Sequence, residues 1–398
     1  MRLAVVSPFV DRCHGTERAL AEVLERLARV HGCEVHLFAQ NVEDLDIVPG
    51  GTVPSGQVPR IHWHKVPSIP GPHLLKFLFW FYLNRFSRWR CTAFRRLSFD
   101  LVLSPGINCS DADVILVHVL FHRLRELHAE SVNDPSSSRG GFRDLHRRAY
   151  YAALTCLERR IYTDSKANLA AVSQRTADML SKYFQRDDVC VIPNGVDTTQ
   201  FSPPARRSRR ADSRSRRKFD KSDLVLLLIG NDWKTKGLPT VIQTVAFLRD
   251  LPVHLMIVGN DASEPFHKLA RQLGVFDRCH WETPSVDVLD FYAAADIYVS
   301  PSHEDSYGLP VAEAMACGLP VITSVAAGIS ASIQHGKDGY ILSNPDDVPL
   351  LSQWLRGLCT DAHLRDRIGA AAADTAQNWT WDQNAEAVWK LLQAAARK

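Results

Sequence analysis

Apolar runs and helical periodicities alternate along most of the 398 residues. The first run, "LAVVSPFV", has the length of a buried strand, and a turn follows at "DRCHG". Leu20, Val23, Leu24 and Leu27 then recur at the three-four spacing that predicts one apolar helix face. With "EVHLFAQ" as the next strand, the first forty residues read as a βαβ unit whose helix begins at Gly15. The strands "LVLSPG", "DVILVHV", "NLAAVS" and "VCVIPNG" continue the series. Continuous apolar strands alternating with helices predict a parallel sheet covered on both faces.

The alternation breaks at "PNGVDTTQFSPPARRSRRADSRSRRKFD", where Pro, Gly, Ser and a charge run give the composition of a linker. It restarts with "LVLLLIG", the helix "LPTVIQTVAFLRD" and the strand "VHLMIVG", followed by "ADIYVSPS", "PVITS" and "GYILS". The expected fold class is α/β, with two tandem Rossmann-like doubly wound domains. Open sheets of this kind bind ligands at the carboxyl ends of their strands, so the cleft between the domains is the expected site. The expected boundaries are a first domain over 1–195, a basic linker over 196–221, a second domain over 222–375 and a closing helix over 376–398.

Composition narrows the class. With 45% hydrophobic and 23% charged residues the chain reads as a soluble globular protein. No run approaches the ~18 apolar residues of a membrane-spanning helix, and "MRLAVVSPFV" lacks the length and cleavage site of a signal peptide. Nine cysteines without a CxxC pair argue for a reducing cytosol rather than a disulfide scaffold or zinc ribbon. The net charge is +3, and residues 206–218 alone carry eight cations and one anion. A local basic segment on a near-neutral body speaks against a nucleic-acid binder.

Four stretches carry candidate chemistry. In "SPSHEDSYGLPVAEAMACGLPVIT", residues 300–323, a strand ends and a helix begins at Pro310, so the loop lies beside a helix N-terminus that favours an anion. Glu304, Asp305 and Glu313 there either accept hydrogen bonds from sugar hydroxyls or favour the helix end electrostatically, and position alone leaves both readings open. In "IGNDWKTKG", a loop after a strand, a lysine either neutralises a diphosphate near the next helix or is simply solvated. "CHGTERA" puts Gly15 before a helix, where position alone gives no more than a tight turn. "DVILVHVLFH" ends a strand at His118, a core histidine or a functional one, with His122 nearby. The "DAD" at 111–113 precedes a strand instead of following one, so no metal is assigned to it. "HLLKFLFWFYLNRFSRWR", residues 73–90, mixes aromatics with cations, as a membrane-surface helix or a core helix with solvated ends would.

The stretch "PSHEDSYGLPVAEAMACGLPVI" resembles the signature of the retaining family-four glycosyltransferases with two Rossmann-like domains, the GT-B architecture. That signature has two acids separated by seven residues, with Phe/Tyr-Gly-Leu-Pro between them. Counting back from Glu313 puts the first acid at Asp305, where most members have Glu. Either Asp305 serves with its shorter arm or Glu304 substitutes for it. The resemblance implies that this acid and the backbone at Gly308 and Leu309 hold the donor sugar, and that Glu313 holds the ribose hydroxyls. Lys236 matches the family's lysine before the second loop glycine. Asn231 and Asp232 stand where members usually have Arg, leaving Lys234 as the substitute cation, and this version of the loop most resembles the lipopolysaccharide-core glucosyltransferases. Gly15, with Glu17 and Arg18, resembles the family's Gly-x-Glu-Arg segment. His118 matches a histidine facing the donor sugar, with His122 as the fallback. "VIPNGVDTTQF" and "NWTWDQNAEAVWKLL" resemble the family's hinge and closing helix, and "GISASI" at 328–333 departs from it.

The resemblance implies an acceptor-binding first domain and a nucleotide-sugar-binding second one. The expected reaction moves a hexose, with retention, from a nucleotide diphosphate sugar (UDP-sugar first) to a hydroxyl of a glycan or glycolipid acceptor in cell-envelope polysaccharide or lipopolysaccharide synthesis. No cofactor beyond the co-substrate is expected, and no metal. The expected location is cytoplasmic, with peripheral contact to an anionic membrane surface. Two alternatives remain: a nucleotide-sugar epimerase or hydrolase of the same fold, and a catalytically weakened nucleotide-binding scaffold.

Overall fold

The structure is a computed structural model that describes residues 1–12, 14–45, 61–132 and 142–397. It divides into two units, Met1–Pro193 with Asp382–Lys398, and Asn194–Trp381. Each unit is built on a parallel sheet, so the α/β class with two Rossmann-like domains is borne out.

In unit 1, the strand Arg2–Val6 lies inside a seven-stranded sheet. On one side of it come Glu34–Ala39 and then Ile61–Lys65. On the other come Leu101–Pro105, Val114–Val117, Asn168–Ala171 and Cys190–Val191. Leu3 to Val6 have no exposed surface, as expected of a strand covered on both faces. The helix Gly15–Arg29 buries Leu20, Val23, Leu24 and Leu27 against this sheet. The helix Trp381–Ala396 adds Val388 and Leu392 to the same core. Asp382 Oδ1 accepts from Arg26 Nε at 2.6 Å, and Trp389 stacks on His31 with ring centroids 5.0 Å apart.

Unit 2 repeats the plan with six strands, in the spatial order Cys279–Glu282, Val253–Val258, Leu224–Ile229, Ile297–Ser300, Val321–Ser324 and Tyr340–Leu342. Its first strand in sequence, Leu224–Ile229, is flanked by Val253–Val258 and Ile297–Ser300. Later strands are therefore laid down first to one side and then to the other, which makes a topological switch point between Leu224–Ile229 and Ile297–Ser300. The chain's entry into this unit lies against its exit. Val196 N–H donates to Trp379 O at 2.6 Å, and a Cβ on Gly195 would lie 2.4 Å from Trp381 N.

The expectation of a linker over 196–221 is overturned. Residues Pro203–Arg216 form a helix within unit 2, capped by Ser202, whose Oγ accepts from Ala205 N–H. The arginines that suggested a solvated segment serve as buried hydrogen-bond donors to the C-terminal carbonyls of the helix Leu289–Ala294 and the residues after it. Arg206 reaches Ala295 O at 2.7 Å, and Arg210 reaches Ala295 O at 2.8 Å and Asp296 Oδ1 at 2.5 Å. Arg214, 7% exposed, donates to Ala294 O, Asp220 O and Asp223 O and pairs with Asp296 Oδ2 at 3.2 Å. Arg207 is exposed on this helix, and the exposed Arg209 pairs with Asp287.

Removing one member of a buried ion pair strands the other, at a cost of ~3–5 kcal/mol. Arg214→Ala is therefore expected to lower unfolding stability by that amount, while Arg207→Ala at an exposed position stays within ~0.5 kcal/mol of the parent. Denaturant unfolding compares the two. Equal losses would mean that this helix contributes no buried contact to unit 2.

Candidate functional site

The loops of interest leave the carboxyl ends of the two strands that flank the switch point. After Leu224–Ile229 the chain turns through residues 230–237 into the helix Leu238–Phe247, with Gly237 as N-cap at φ +78°. After Ile297–Ser300 it turns through residues 301–308 into the helix Leu309–Ala316, with Gly308 as N-cap at φ +99°. Both glycines adopt backbone that other residues rarely adopt. Gly237 has a second constraint, since a Cβ there would lie 2.2 Å from Pro301 O. The loops touch backbone to backbone, with His303 N–H donating to Thr235 O at 2.8 Å.

Across this contact Lys236 Nζ reaches Asp305 Oδ2 at 2.5 Å. Both side chains are mostly covered, 19% and 16% exposed. The lysine stem runs over Gly230, where a Cβ would be 3.1 Å from Lys236 Cε. The Asp305 carboxylate also accepts from Tyr307 N–H at 3.3 Å, and its backbone is fixed on both sides. Its N–H donates to Ala326 O at 3.1 Å and its C=O accepts from Gly328 N–H at 2.9 Å. Of the two acids offered for the first position, Asp305 is the one that meets Lys236; Glu304 is half-buried beside it. The departing segment at 328–333 has a structural part here, because Ile329 N–H donates to Tyr307 O at 2.7 Å and Ile329 Cγ2 closes against Gly308.

Glu313 lies on the helix that Gly308 opens and is 2% exposed. Its Oε2 accepts from the Tyr292 hydroxyl at 2.7 Å. Burial, and then the charge of Glu313, hold the Tyr292 hydroxyl well above its ordinary pKa, so it remains the donor in this bond. Leu309 is buried at the start of the helix, and Lys234 is exposed in the first loop.

Where the resemblance leads one to expect an arginine, Asn231 and Asp232 shape the loop. Asn231 Oδ1 accepts from Asn260 N–H at 2.9 Å, and Asp232 takes a left-handed φ of +55°. Trp233, 3% exposed, anchors the loop against Phe266 and Trp281, and its backbone N–H donates to Asp261 Oδ2 at 2.8 Å.

Unit 2 thus brings together Lys236, Asp305, Gly308, Leu309 and Glu313. Gly15 and His118 lie in unit 1. Gly15 is exposed at the first turn of its helix, where burial raises the Glu17 carboxyl above its usual range. His118 is buried just past the strand Val114–Val117. His122 is engaged elsewhere, its Nδ1 lying 2.6 Å from the fully buried Glu158, which also accepts from the Phe121 and His122 N–H groups. In the "DAD" stretch, Arg88 takes both oxygens of Asp111 and Asp113 Oδ2 accepts from Val102 N–H at 2.7 Å. Both aspartates therefore have structural partners. Tyr292 and His303 were missed from sequence because each acts through a contact distant along the chain with no motif of its own, and Tyr307, though it stands in the Phe/Tyr-Gly-Leu-Pro signature, was given no role there. Cys13 of the "CHGTERA" stretch lies outside the described residues.

Two family models match the chain: Glycosyltransferase Family 4 over residues 14–200 and Glycosyl transferases group 1 over residues 209–375. A D-inositol 3-phosphate glycosyltransferase of Streptomyces bingchenggensis is 31% identical over 247 residues, 58% of this chain and 53% of that protein. One of Xylanimonas cellulosilytica is 28% identical over 251 residues, 61% of this chain and 60% of that protein. The match thus spans little more than half the length of these relatives. Among solved structures, WaaG, a glycosyltransferase involved in lipopolysaccharide biosynthesis, superposes with a TM-score of 0.76 at 21% identity, covering 98% of this chain and 99% of that one. HepE of Anabaena in complex with UDP and glucose gives 0.71 at 16% identity, covering 99% of this chain and 100% of that one. These identities speak to the fold. With both family models matched in chain order and the acids, lysine and glycines of the signature gathered at one switch point, the chain belongs to the family-four glycosyltransferases of GT-B fold.

Proposed function

We propose that this chain is a retaining glycosyltransferase that moves a hexose from a nucleotide diphosphate sugar to a hydroxyl of a glycan or glycolipid acceptor in cell-envelope polysaccharide or lipopolysaccharide synthesis. The observation that carries the reading is the Lys236–Asp305 pair between two glycine-capped helix starts, with Glu313 one turn into the second helix. Donor binding draws Lys236 from Asp305 to the diphosphate, and Asp305 then accepts from a sugar hydroxyl. Backbone N–H groups at Gly308 and Leu309 face the donor's phosphates and sugar. Glu313, braced by Tyr292, accepts from the ribose hydroxyls. As the sugar–phosphate bond breaks, Lys236 and the helix N-termini stabilise the charge developing on the leaving diphosphate, with no metal assigned a part. The acceptor attacks from the leaving-group side, so the anomeric configuration is kept, and the departing phosphate takes its proton. By the family resemblance alone, Gly15 is assigned to phosphate and acceptor and His118 to the donor sugar. Glu304 and Lys234 are the reserve acid and cation.

UDP-glucose is the first donor to try, and the relatives' name adds D-inositol 3-phosphate to the acceptors. Thermal unfolding with UDP, GDP, ADP and their sugar conjugates identifies the nucleotide, since a ligand in large excess over its Kd stabilises the folded state by a few kcal/mol. Glu313→Gln keeps the shape but loses the charged acceptor, and is expected to weaken nucleotide binding by ~1.5–3 kcal/mol, about 10- to 100-fold in Kd. Lys236→Met is expected to lower kcat ~100-fold or more while the protein remains folded. Turnover of the donor with no acceptor present would favour the epimerase or hydrolase instead, and binding without any turnover the scaffold. An inverted anomer by NMR would overturn retention.

A second surface supports contact with an anionic membrane, on the cytoplasmic side. The helix His73–Arg95 buries Trp80, Asn84 and Arg88, yet leaves Tyr82, Phe86, Trp89 and Phe94 at least half exposed. Lys76, Arg85 and Arg90 are exposed among them, and an apolar groove of about 470 Å³ is lined by residues including Leu75, Leu78, Tyr82 and Phe86. Among the described residues no helix is long and apolar enough to cross a membrane. Aromatics interleaved with cations suit a helix lying in the headgroup layer. Co-sedimentation is expected with vesicles containing phosphatidylglycerol, less with phosphatidylcholine alone, and to fall with salt. The triple change Tyr82→Ser, Phe86→Ser, Trp89→Ser is expected to abolish it; undiminished sedimentation would refute the contact.

A further inference from the structure

The sheet of unit 1 ends in two parallel strands, Glu34–Ala39 and Ile61–Lys65, with His36 opposite His62 and Phe38 opposite His64. Residues two apart on a strand share a face, and the His36 ring accordingly stacks on both His62 and His64. Glu34, His36 and His62 each bring one ligand atom to within 4.8 Å of the other two. His36 Nε2 lies 3.0 Å from Glu34 Oε1, and Arg2 Nε holds the other carboxylate oxygen at 3.0 Å. On the far side of the ring, His36 Nδ1 lies 2.9 Å from His64 Nε2, and His64 Nδ1 lies 3.6 Å from Cys91 Sγ. The His36 ring is 3% exposed and is covered by the edge of Phe99.

We propose that Glu34, His36 and His62 form a binding site for one borderline divalent transition metal, zinc being the type. Two imidazoles and one carboxylate with an open position form a donor set that such ions favour over magnesium or calcium. The supporting contacts are also those of a metal site, where the ligands' remaining atoms are fixed by outer partners. Arg2 orients Glu34, leaving Oε1 inward, and His64 orients His36 through Nδ1. The half-buried His62 completes the set by turning its ring out of its stack on His36.

The hydrogen-bond chain follows the occupancy of Nε2. Without metal, Nε2–H of His36 donates to Glu34, so Nδ1 accepts from His64 and His64 Nδ1 accepts from Cys91. With metal on Nε2, Nδ1–H donates to His64 Nε2, and His64 Nδ1–H donates to Cys91 Sγ. The ion clips the edge strand of the sheet to its neighbour. None of its three ligands has a part in the proposed transfer reaction, so the site stands or falls independently of it.

Titration of the chelator-stripped full chain with Co²⁺ tests this. The expected result is one ion per chain, an intense visible band of low-coordinate Co²⁺ displaced by Zn²⁺, and a rise in Tm. His62→Ala and Glu34→Gln are each expected to weaken binding at least ~10-fold. His280→Ala removes half of a comparable pair in unit 2, where His254 Nδ1 lies 3.0 Å from His280 Nε2, and should leave binding unchanged. If His62→Ala does not fold, Glu34→Gln carries the test. Absence of stoichiometric binding, binding unaltered by the ligand changes, or loss in His280→Ala would overturn the site.

Discussion

The candidate site depends on one ion pair, Lys236 with Asp305, made across the switch point of the unit 2 sheet. Partly covered pairs of this kind contribute little net stability, because desolvation and side-chain ordering offset most of the Coulomb attraction. Its value lies in placement. A lysine held at 2.5 Å from a carboxylate stays oriented toward the space above both helix starts. It can then exchange that carboxylate for a phosphate of like charge at small cost. In the proposed reaction the same exchange frees an acceptor for a sugar hydroxyl, so a single contact serves both halves of the proposed donor grip.

That contact in turn requires two loops to approach backbone to backbone, which only particular residues allow. Gly237 accommodates Pro301 O where any Cβ would collide. Gly308 opens the second helix at a φ closed to most side chains. Pro310 then fits the first turn, where its missing N–H costs nothing. Below them, Tyr292 and Tyr307 tie the acids to the core, the second through its hydroxyl to Asn194 O at 2.7 Å. The loops are thus specified by glycine geometry and held by buried phenols.

Much of this was legible in the chain because it is local. The strands "LVLLLIG" and "ADIYVSPS" and the helix starts after Gly237 and Gly308 follow from runs and turn residues within a dozen positions. Two strands of the main sheets were passed over, Ile61–Lys65 ("IHWHK") and Cys279–Glu282 ("CHWE"). Both are sheet edges, so one side needs no apolar cover and the histidines obscure the run. The arginine-rich segment misled for a related reason. Charge density predicts solvent exposure unless the carbonyls and carboxylates that accept it are known, and Ala294, Ala295 and Asp296 lie 80 to 89 residues further on. Tyr292 was invisible for the same cause, since nothing near it in sequence announces Glu313.

The two departures from the family pattern acquire physical meaning together. With Asn231 and Asp232 committed to the turn, the first loop cannot present a cation at that point, and Trp233 fixes the turn in the core. In the proposed reaction, charge for the donor diphosphate must come from elsewhere. Lys236 supplies one unit, and each of the two helix N-termini adds about half a unit of positive potential. Together these approach the charge of the proposed diphosphate. In the free site the same surplus needs a counter-ion, and Asp305 supplies it through its contact with Lys236. A short carboxylate arm suits that duty, because the loop backbone is already pinned by Ala326 and Gly328 and leaves the side chain only a small distance to span. Asp at 305 and the absent arginine are then two sides of one electrostatic balance within unit 2.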